Sequence, residues 1–261
     1  MTGQLEGRVA VITGGTEGIG FGIAQAFVAE GATVVINGRN ADKGARALHQ
    51  LAAGDRAHFI TGDVKSKDSI ETLVDGAAEF GGGLHILVNN AGGSSGFNLV
   101  GELSDEAWLE ALDWNLNATF YATRRALKYF APNGWGRIIN ISSAEGKEAS
   151  KAAVSHYITN KHAINGFTKA VAFEYGPQGI TCNAICPGAV ETPLMQSAGR
   201  AYAESAGITY EQFLQTYADE SMIKRLNTVE EVAAMAVLLA SELGGGITGS
   251  VLDVDGGTTS W

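Results

Sequence analysis

The stretch TGGTEGIGFGIAQAF, residues 13–27, follows a short apolar run and leads into a longer amphipathic one. Its glycines Gly14, Gly18 and Gly20 stand where a strand would end and a helix begin. Glycines at such a turn let backbone N–H groups approach a pyrophosphate, and the helix N-terminus adds partial positive charge. The spacing G-x-x-x-G-x-G does not decide alone, because a tight connection in a chain with 35 glycines would look the same. The strand before it and the helix after it favour dinucleotide binding.

Short apolar runs alternate with amphipathic runs along the rest of the chain, which is the pattern of βαβ units and a parallel sheet. Seven strands are predicted, at 9–13, 33–37, 57–63, 85–92, 137–143, 180–188 and 250–257. Six helices are predicted, near 18–30, 41–53, 66–80, 105–130, 152–175 and 228–242. Ser104 precedes an acidic first turn, and Thr228 with Glu231 forms a capping box. Segment 189–220 has no clear periodicity. We expect one α/β domain over residues 1–261.

The composition excludes several kinds of partner. A chain of 261 residues that is 45% hydrophobic can bury a full core. The net charge of -10 and the lack of a basic cluster argue against nucleic acid. The apolar run at 233–240 is too short to span a membrane, and the N-terminus lacks the features of a signal peptide. We expect a soluble cytoplasmic protein.

Cysteine and histidine placement gives no sign of a disulfide or a metal site. Cys182 and Cys186 lie in one predicted strand, where a rise of ~3.3 Å per residue puts them ~13 Å apart, beyond the reach of a disulfide. The five histidines show no ligand spacing. We expect free thiols and no metal.

The segment SHYITNKHAINGF, residues 155–167, places Tyr157 and Lys161 four positions apart on one helix face. A free phenol has a pKa of about 10, and a nearby ammonium lowers it towards the range useful for general acid/base catalysis. The alternative is that Tyr157 packs in the core while Lys161 extends its ammonium to solvent. The neighbouring motifs decide between the two.

Five motifs together resemble the short-chain dehydrogenase/reductase family. They are TGGTEGIG at 13–20, NNAG at 89–92, NISS at 140–143, YITNK at 157–161 and CPGAVETP at 186–193. The resemblance covers nearly the whole chain in the family's order and spacing. It implies a Rossmann-like, doubly wound, seven-stranded parallel sheet flanked by helices in a single domain, with substrate bound beyond the carboxyl ends of the strands.

The resemblance also implies the catalytic residues. Tyr157 would exchange a proton with a carbonyl or alcohol oxygen while hydride moves to or from nicotinamide. Ser143 would hydrogen-bond that oxygen, and Ser142 is the less favoured choice. Asn115 would hold, by its main chain, a water that relays protons to Lys161, although Asn117 is equally eligible from the sequence.

Cofactor contacts follow from the same resemblance. In the glycine turn, Thr16 and Ile19 would accompany the three glycines. Asp63 and Val64 would meet the adenine, while Asn90, Ala91 and Gly92 would line the adenosine ribose. The nicotinamide would be held by Pro187, Gly188, Val190 and Thr192, with Tyr157 and Lys161 nearby. Asn89 and Asn90 could equally cross-link strands through their amides.

The choice of nicotinamide depends on VVINGRN, residues 34–40. Where NAD-preferring members of the family carry an acidic residue, this chain has Gly38, so no carboxylate repels a 2′-phosphate. Arg39 follows and can pair with that phosphate. Two observations oppose this: Arg39 could stack on adenine instead, and Glu17 stands where NADP-preferring relatives often carry a basic residue. NADP is predicted, with NAD as the alternative.

The resemblance implies that the substrate is a small-molecule ketone or alcohol. The resemblance is nearest to polyketide ketoreductases and 3-oxoacyl-carrier-protein reductases, with 3-hydroxybutyrate dehydrogenases as the alternative. Those dehydrogenases often carry a substrate-binding histidine where this chain has Glu145, which would repel a small free acid, although Glu145 could equally be a solvated turn residue. A dinucleotide-binding regulator without catalysis is the remote alternative.

Segment 189–220 is predicted to be a substrate lid, because a long aromatic-rich insertion is usually functional. Met195 and Tyr202 would contact substrate, although the aromatic residues of this segment could instead pack as ordinary core. The family resemblance further implies a homotetramer.

Overall fold

A computed structural model describes residues 3–94 and 96–259. In the described part of the chain one sheet contains seven strands, all paired in parallel in the order β3-β2-β1-β4-β5-β6-β7. The strands are β1 (Val9–Ile12), β2 (Thr33–Gly38), β3 (Ala57–Thr61), β4 (Ile86–Asn89), β5 (Gly136–Ile141), β6 (Ile180–Pro187) and β7 (Val251–Val254). The chain leaves the β3 edge and returns beside β1. This reversal opens a crevice at the carboxyl ends of β1 and β4, where open α/β sheets bind ligands.

Nine α-helices connect and follow these strands within the described residues. They are α1 (Gly18–Ala29), α2 (Ala41–Leu51), α3 (Lys67–Gly81), α4 (Asp105–Leu112), α5 (Ala118–Asn133), α6 (Ser155–Tyr175), α7 (Pro193–Ala206), α8 (Tyr210–Glu220) and α9 (Val229–Ala240). The predicted caps are confirmed, since Ser104 accepts a hydrogen bond from the Ala107 amide and Thr228 forms a capping box with Glu231.

Alternate residues of the strands face two separate cores, as expected for a sheet that is covered on both faces. On one face Ala10 and Ile12 of β1 pack with residues of α1, α2 and α9. On the other face Val9 and Val11 pack with residues of α3, α5 and α6. The fold predicted from the sequence is therefore confirmed.

Several element boundaries differ from the sequence predictions. The third, fourth, fifth and seventh strands end at Thr61, Asn89, Ile141 and Val254, between two and three residues earlier than predicted. The residues that follow them lie in loops at the carboxyl edge. The sixth helix begins at Ser155 because Ala153, with φ of 62°, is left-handed and cannot continue a right-handed helix.

The helix predicted over 105–130 is divided. A π-helical turn, Asp113–Asn117, separates α4 from α5. Such turns widen a helix locally and often occur at functional sites. The turn carries Asn115 into the sheet edge, where its side chain hydrogen-bonds the backbone of Gly93.

The segment 189–220 is largely helical, as α7 and α8. Phe213 is buried between them, and a Cβ added to Gly199 would lie 2.3 Å from its ring. Sequence periodicity does not reveal these helices because each has a small buried side: Gly199 and Ala203 on α7, and Phe213 and Ala218 on α8.

The remaining expectations concern thiols, metals and membranes. Cys182 and Cys186 are both buried and free. Within residues 3–94 and 96–259, no group of three or more His, Cys, Asp or Glu side chains could hold a metal ion. Among the same residues, no helix combines the length and apolarity needed to cross a bilayer.

Candidate active site

The glycine turn between β1 and α1 is built so that only glycine suits it. Gly14 and Gly18 have φ of 63° and 59°, the left-handed region that side chains disfavour. A Cβ added to Gly20 would lie 2.4 Å from Nδ2 of Asn90 and 2.5 Å from the carbonyl oxygen of Gly14. The turn therefore presents bare backbone at the start of α1, as a pyrophosphate site requires. Thr16 and Ile19 are half-buried beside it.

Asn90 holds this turn from the neighbouring strand. Its Nδ2 donates to the carbonyl oxygens of Thr13 and Gly14, each at 3.0 Å. The Thr13 hydroxyl in turn accepts from the amides of Asn90 and Ala91 at 3.0 Å. Asn90 therefore has the cross-linking position that the sequence left open. Thr13 was not among the predicted site residues, and its only signal in the sequence is a hydroxyl directly before the first glycine.

Asn89 also links strands. Its Nδ2 donates to Oδ1 of Asn140 at 2.8 Å and to Oγ1 of Thr123 at 3.1 Å. Asn140 continues the network to Oγ1 of Thr168 at 2.9 Å. This buried ladder joins β4 to β5 and α6 just beneath the carboxyl edge.

The end of β2 has no acidic side chain. A Cβ added to Gly38 would lie 2.9 Å from Cγ2 of Thr16, so a larger residue there would have to displace the glycine turn. Arg39 is exposed and makes no hydrogen bond or ion pair with the described residues. Glu17 is paired with Lys43 at the start of α2, with Nζ 2.7 Å from Oε2. Lys43 was not among the predicted site residues, because it is distant from Glu17 along the chain.

Asp63 and Val64 lie just beyond β3. Oδ1 of Asp63 accepts from the Lys65 amide at 3.0 Å, and Val64 is buried. Asn37 connects β2 to this segment, because its Nδ2 donates to the carbonyl oxygens of Ile60 and Gly62 at 3.0 and 3.1 Å. The two residues predicted to contact adenine, Asp63 and Val64, therefore lie beside the end of β2, at the same edge of the sheet as the glycine turn.

The predicted nicotinamide residues follow β6. Pro187 ends the strand, and a Cβ added to Gly188 would lie 2.8 Å from Cα of Asp255. Val190 is buried. Thr192 caps α7 through a 3.3 Å hydrogen bond from the Met195 amide, and its Cγ2 would be 3.2 Å from a Cβ on Gly18. The glycine turn and the start of α7 are therefore in contact.

Lys161 is buried at the centre of this edge. Its Nζ donates to the carbonyl oxygen of Ile141 at 2.8 Å and lies 5.4 Å from the centre of the Tyr157 ring. A Cβ added to Gly92 would be 3.5 Å from the same Nζ. The alternative in which Lys161 extends to solvent is wrong, because burial leaves this ammonium beside Tyr157 and the loop after β4.

The two serines after β5 have different surroundings. Ser142 is buried, and its hydroxyl donates to the carbonyl oxygen of Lys161 at 3.2 Å. Ser143 is half-buried, accepts from the Glu145 amide at 3.2 Å, and interacts with the phenol of Tyr157. Of the two, Ser143 is the one that shares a site with Tyr157.

The two asparagines of the π turn are likewise distinguished. Asn115 is fully buried, and its amide both accepts from the Gly93 N–H at 3.1 Å and donates to the Gly93 carbonyl oxygen at 2.9 Å. Its own carbonyl oxygen accepts from the Thr119 hydroxyl at 2.9 Å. Asn117 instead bonds Asp113 on the outside of the helix, at 2.7 Å. Asn115 is therefore the one brought to the site.

The pKa of Tyr157 shifts in the direction opposite to our expectation. Burial raises the pKa of the Tyr157 phenol; the Ser143 hydroxyl opposes the rise and the charge of Glu145 adds to it. The Lys161 ammonium donates to the Ile141 carbonyl and lies 5.4 Å from the centre of the Tyr157 ring, so it does not offset the effect of burial. Burial lowers the pKa of Lys161 to about 8. The phenol is therefore protonated at neutral pH, which suits a proton donor.

Glu145 and the predicted lid border the same site. The Glu145 carboxylate accepts hydrogen bonds from the amide and hydroxyl of Ser150, so it caps its own turn, yet its charge reaches Tyr157. Met195 is half-buried on the first turn of α7, whereas Tyr202 is exposed further along that helix. The structure brings Met195 close to Thr192 and leaves Tyr202 packing beside the Phe213 ring, with centres 5.8 Å apart.

One edge of the doubly wound sheet thus carries both the glycine turn, with its exposed backbone, and the side chains of Ser143, Tyr157 and Lys161. Such a combination defines a dinucleotide-dependent α/β enzyme that transfers protons at a substrate oxygen.

Comparison with known proteins agrees with this class of enzyme. A family model described as Enoyl-(Acyl carrier protein) reductase matches residues 14–259. The 3beta-hydroxysteroid dehydrogenase of Mediterraneibacter gnavus is 37% identical over 270 residues, which cover 99% of this chain and 97% of the relative. The D-beta-hydroxybutyrate dehydrogenase of Cupriavidus necator is 39% identical over 256 residues, covering 97% and 98%. A crystal structure of an actinorhodin polyketide ketoreductase variant with NADPH matches with a TM-score of 0.92 and 36% identity over 100% of both chains.

The chain therefore belongs to the short-chain dehydrogenase/reductase family. It is an oxidoreductase that interconverts a ketone and a secondary alcohol with a nicotinamide cofactor. The family and the reaction class expected from the sequence are confirmed.

Proposed function

We propose that this enzyme is an NADPH-dependent ketoreductase that acts on a neutral, 3-oxoacyl or polyketide-like ketone. The observation that carries the proposal is the placement of Tyr157 beside Ser143 and the buried Lys161, at the edge that also bears the bare glycine turn. When bound along this edge, the reduced nicotinamide supplies the hydride. The residues of the chain then have to bind the ketone oxygen, deliver a proton to it and keep both reactants aligned.

Ser143 and Tyr157 are assigned to the ketone oxygen. The Ser143 hydroxyl would donate a hydrogen bond that stabilises the negative charge developing on that oxygen. The protonated phenol of Tyr157 would then donate its proton to the same oxygen. Lys161, held by the Ile141 carbonyl, would stabilise the phenolate that remains. Asn115 is assigned to hold, by its main chain, the water through which a proton would return to Lys161.

The cofactor-binding assignment rests on a fit between the chain and a dinucleotide. The left-handed Gly14 and Gly18, with Gly20, leave space that a Cβ would fill, and Thr16 and Ile19 flank them. Asp63, Val64, Asn90, Ala91 and Gly92 are assigned to the adenosine half, and Pro187, Gly188, Val190 and Thr192 to the nicotinamide half.

NADPH is proposed over NADH for three reasons. Gly38 removes the carboxylate that would repel a 2′-phosphate, Arg39 is exposed beside it, and Lys43 neutralises Glu17. The actinorhodin ketoreductase variant to which this chain is similar was solved with NADPH. NAD remains the alternative cofactor.

A neutral substrate is proposed because of Glu145. The negative charge of its carboxylate raises the pKa of Tyr157. A substrate that carried a free carboxylate near the Tyr157 hydroxyl would be repelled by the same charge. The hydroxybutyrate-type alternative, suggested by the Cupriavidus necator relative, is disfavoured for that reason. Residues 189–220, which include α7 and α8, are proposed as the lid over the ketone, and Met195 and Tyr202 are assigned to contact it.

The test follows the absorbance of reduced nicotinamide with a 3-oxoacyl thioester, a 3-oxosteroid and acetoacetate. The proposal expects the thioester to have the highest kcat/KM and NADPH to exceed NADH. Fast turnover of acetoacetate alone would favour the hydroxybutyrate type. Tight cofactor binding without turnover of any ketone would indicate a regulator.

A homotetramer and a cytoplasmic location are also part of the proposal. Phe120 on α5 and Phe173 on α6 are exposed, the latter at 87%, which suits helices that pair with another copy. The unpaired thiols of Cys182 and Cys186 suit a reducing compartment. Sedimentation at micromolar concentration should give a species of four chains, and a single 27.2 kDa species would contradict it.

A further inference from the structure

The loop after β4, formed by residues 92–94 and 96–99, borders the candidate active site. At its start, Gly93 is held on both sides by the amide of Asn115. The next residues carry the exposed apolar side chains Phe97 and Leu99, at 68% and 57% exposure. An exposed apolar wall beside a catalytic edge is suited to an apolar substrate. The position of this loop should therefore affect the position of a bound ketone.

Two contacts hold the loop against the start of α6 and the residues just before it. The Asn98 amide donates to the carbonyl oxygen of Ala153 at 2.9 Å. The Ser94 hydroxyl lies 3.1 Å from Nε2 of His156. His156 is fully buried and directly precedes Tyr157 in the chain. The reaction chemistry does not use His156, so its burial at this place needs another explanation.

The protons of this contact can be assigned. Ser94 has one hydroxyl proton, which it donates to the Gly96 carbonyl oxygen at 2.7 Å. The Ser94 oxygen must then accept from His156, so Nε2 carries the imidazole proton and Nδ1 does not. Burial lowers the pKa of His156, which keeps the ring neutral near pH 7. Nδ1 has no hydrogen-bond partner among the described residues, so the bond to Ser94 is the only side-chain hydrogen bond that the ring makes there.

We propose that His156 is a positioning residue, which holds the loop after β4 to the catalytic helix through Ser94 and so sets where a ketone meets Tyr157. This inference rests on the proposed ketoreductase function. Because His156 and Tyr157 are adjacent, any movement of the loop relative to α6 is a movement relative to the proton donor. The contact is expected to affect substrate binding more than the chemical step.

The test compares His156→Leu, Ser94→Ala and the double variant with wild type. Loss of a neutral hydrogen bond of about 1.4 kcal/mol corresponds to about tenfold in binding. Each single variant should therefore raise KM for the ketone by about fivefold to tenfold, with kcat and the Kd for NADPH little changed. The double variant should be no worse than Ser94→Ala, because that substitution already removes the bond to His156 together with the bond from Ser94 to Gly96.

Two matched variants separate positioning from general stability. His156→Gln places an amide N–H near the same point as Nε2 and should keep KM within about threefold of wild type. Asn160→Ala removes a 2.7 Å hydrogen bond to the His156 carbonyl, and the Asn160 side chain makes no hydrogen bond to the described residues of the loop. It should lower the melting temperature and leave KM unchanged.

A second readout does not depend on turnover. Hydrogen exchange at the Asn98 amide, measured without cofactor or ketone, should be faster in His156→Leu and Ser94→Ala but not in Asn160→Ala. Additive KM effects, a fall in kcat alone, or unaltered exchange at Asn98 in folded variants would overturn the proposal. If wild type reduces no ketone, the proposed function fails, and the exchange rates alone decide whether His156 tethers the loop.

Discussion

The ammonium of Lys43 on α2 lies 2.7 Å from the carboxylate of Glu17 in the glycine turn. Both side chains are partly exposed, so the pair adds little to stability. Its importance is local, because it neutralises the one acidic side chain in the turn that would oppose a 2′-phosphate. With Gly38 at the end of β2, the exposed Arg39 follows directly and forms no ion pair with the described residues.

Arg39→Ala should reduce kcat/KM with NADPH by roughly ten- to a hundredfold, the value of one charge-assisted hydrogen bond. The same variant should leave kcat/KM with NADH nearly unchanged. Arg46→Ala, an exposed arginine further along α2, is the matched control and should alter neither. A wild-type preference for NADH, or a ratio that Arg39→Ala does not change, would contradict the assignment.

Removing Lys43 should act through Glu17. Lys43→Ala leaves the Glu17 carboxylate without its partner, so KM for NADPH should rise several-fold while KM for NADH changes less. Glu17→Gln in the Lys43→Ala background should restore the NADPH value, since the charge is then gone. If the double variant remains as impaired as Lys43→Ala, Lys43 acts by another route.

The pH profile should report the charge of Lys161. Because burial lowers the pKa of Lys161 to about 8, the ammonium is present below that pH and is lost above it. Ketone reduction measured as kcat/KM, which reflects the free enzyme, should be level near pH 7 and fall above about pH 8. Lys161→Arg, whose guanidinium stays charged, should be less active but should lack this fall. A descending limb that stays at pH 8 in Lys161→Arg would assign it to another group.

Lys151 should hold the proposed lid, residues 189–220, in place. This residue, in the loop before α6, forms an ion pair with Glu220 on α8, and its Nζ lies 4.7 Å from the centre of the Tyr217 ring. Lys151→Ala should speed protease nicking within residues 189–220 and raise KM for the ketone, because α8 loses its link to the loop before α6. Lys169→Ala, an exposed lysine on α6, should do neither. Equal nicking rates in all three proteins, with no protection by cofactor plus ketone, would count against a lid.

The cap of α9 gives a prediction about stability. Glu231 accepts from the Thr228 amide at 2.9 Å and pairs with Arg225 at 2.6 Å, which lowers the pKa of Glu231 to about 2 from its usual 4.5. A lowered carboxylate pKa means that this stabilisation is complete above pH 4.5 and is lost as the pH falls towards 2. Glu231→Gln keeps the cap but loses the ion pair, so it should cost about 0.5–1 kcal/mol at pH 7. Urea unfolding should show the gap from wild type narrowing below pH 4.5; a gap independent of pH would refute the electrostatic origin.

The sheet and its helix caps are predictable because they depend on local patterns. Alternating βαβ runs, the Thr228 capping box and the glycine turn each need only neighbouring residues. The helices of residues 189–220 are not predictable in this way, since each buries only a few small or aromatic residues against the other. The π turn around Asn115 is also not predictable from local pattern, because its buried side chain bonds the backbone of Gly93, which is distant in the sequence.

The candidate site likewise has features that the sequence predicts and features that depend on three-dimensional packing. The family motifs bring Ser143, Tyr157 and Lys161 to attention, but not their electrostatics. The direction of the Tyr157 pKa depends on burial and on where the Lys161 ammonium points, which three-dimensional packing alone decides. The Lys43 pair with Glu17 and the His156 contact with Ser94 join residues far apart in the chain, so no spacing rule finds them.

The central claim is that the phenol of Tyr157 delivers the proton to a ketone oxygen. Tyr157→Phe keeps the ring beside Lys161 and removes only the hydroxyl. The decisive measurement is kcat for NADPH-dependent ketone reduction in this variant, alongside its Kd for NADPH. The account predicts that kcat falls by about 10² to 10⁴ while the Kd stays within about threefold of wild type. A variant that retains more than about a tenth of wild-type kcat would contradict it, because general acid catalysis by one residue is worth more than that.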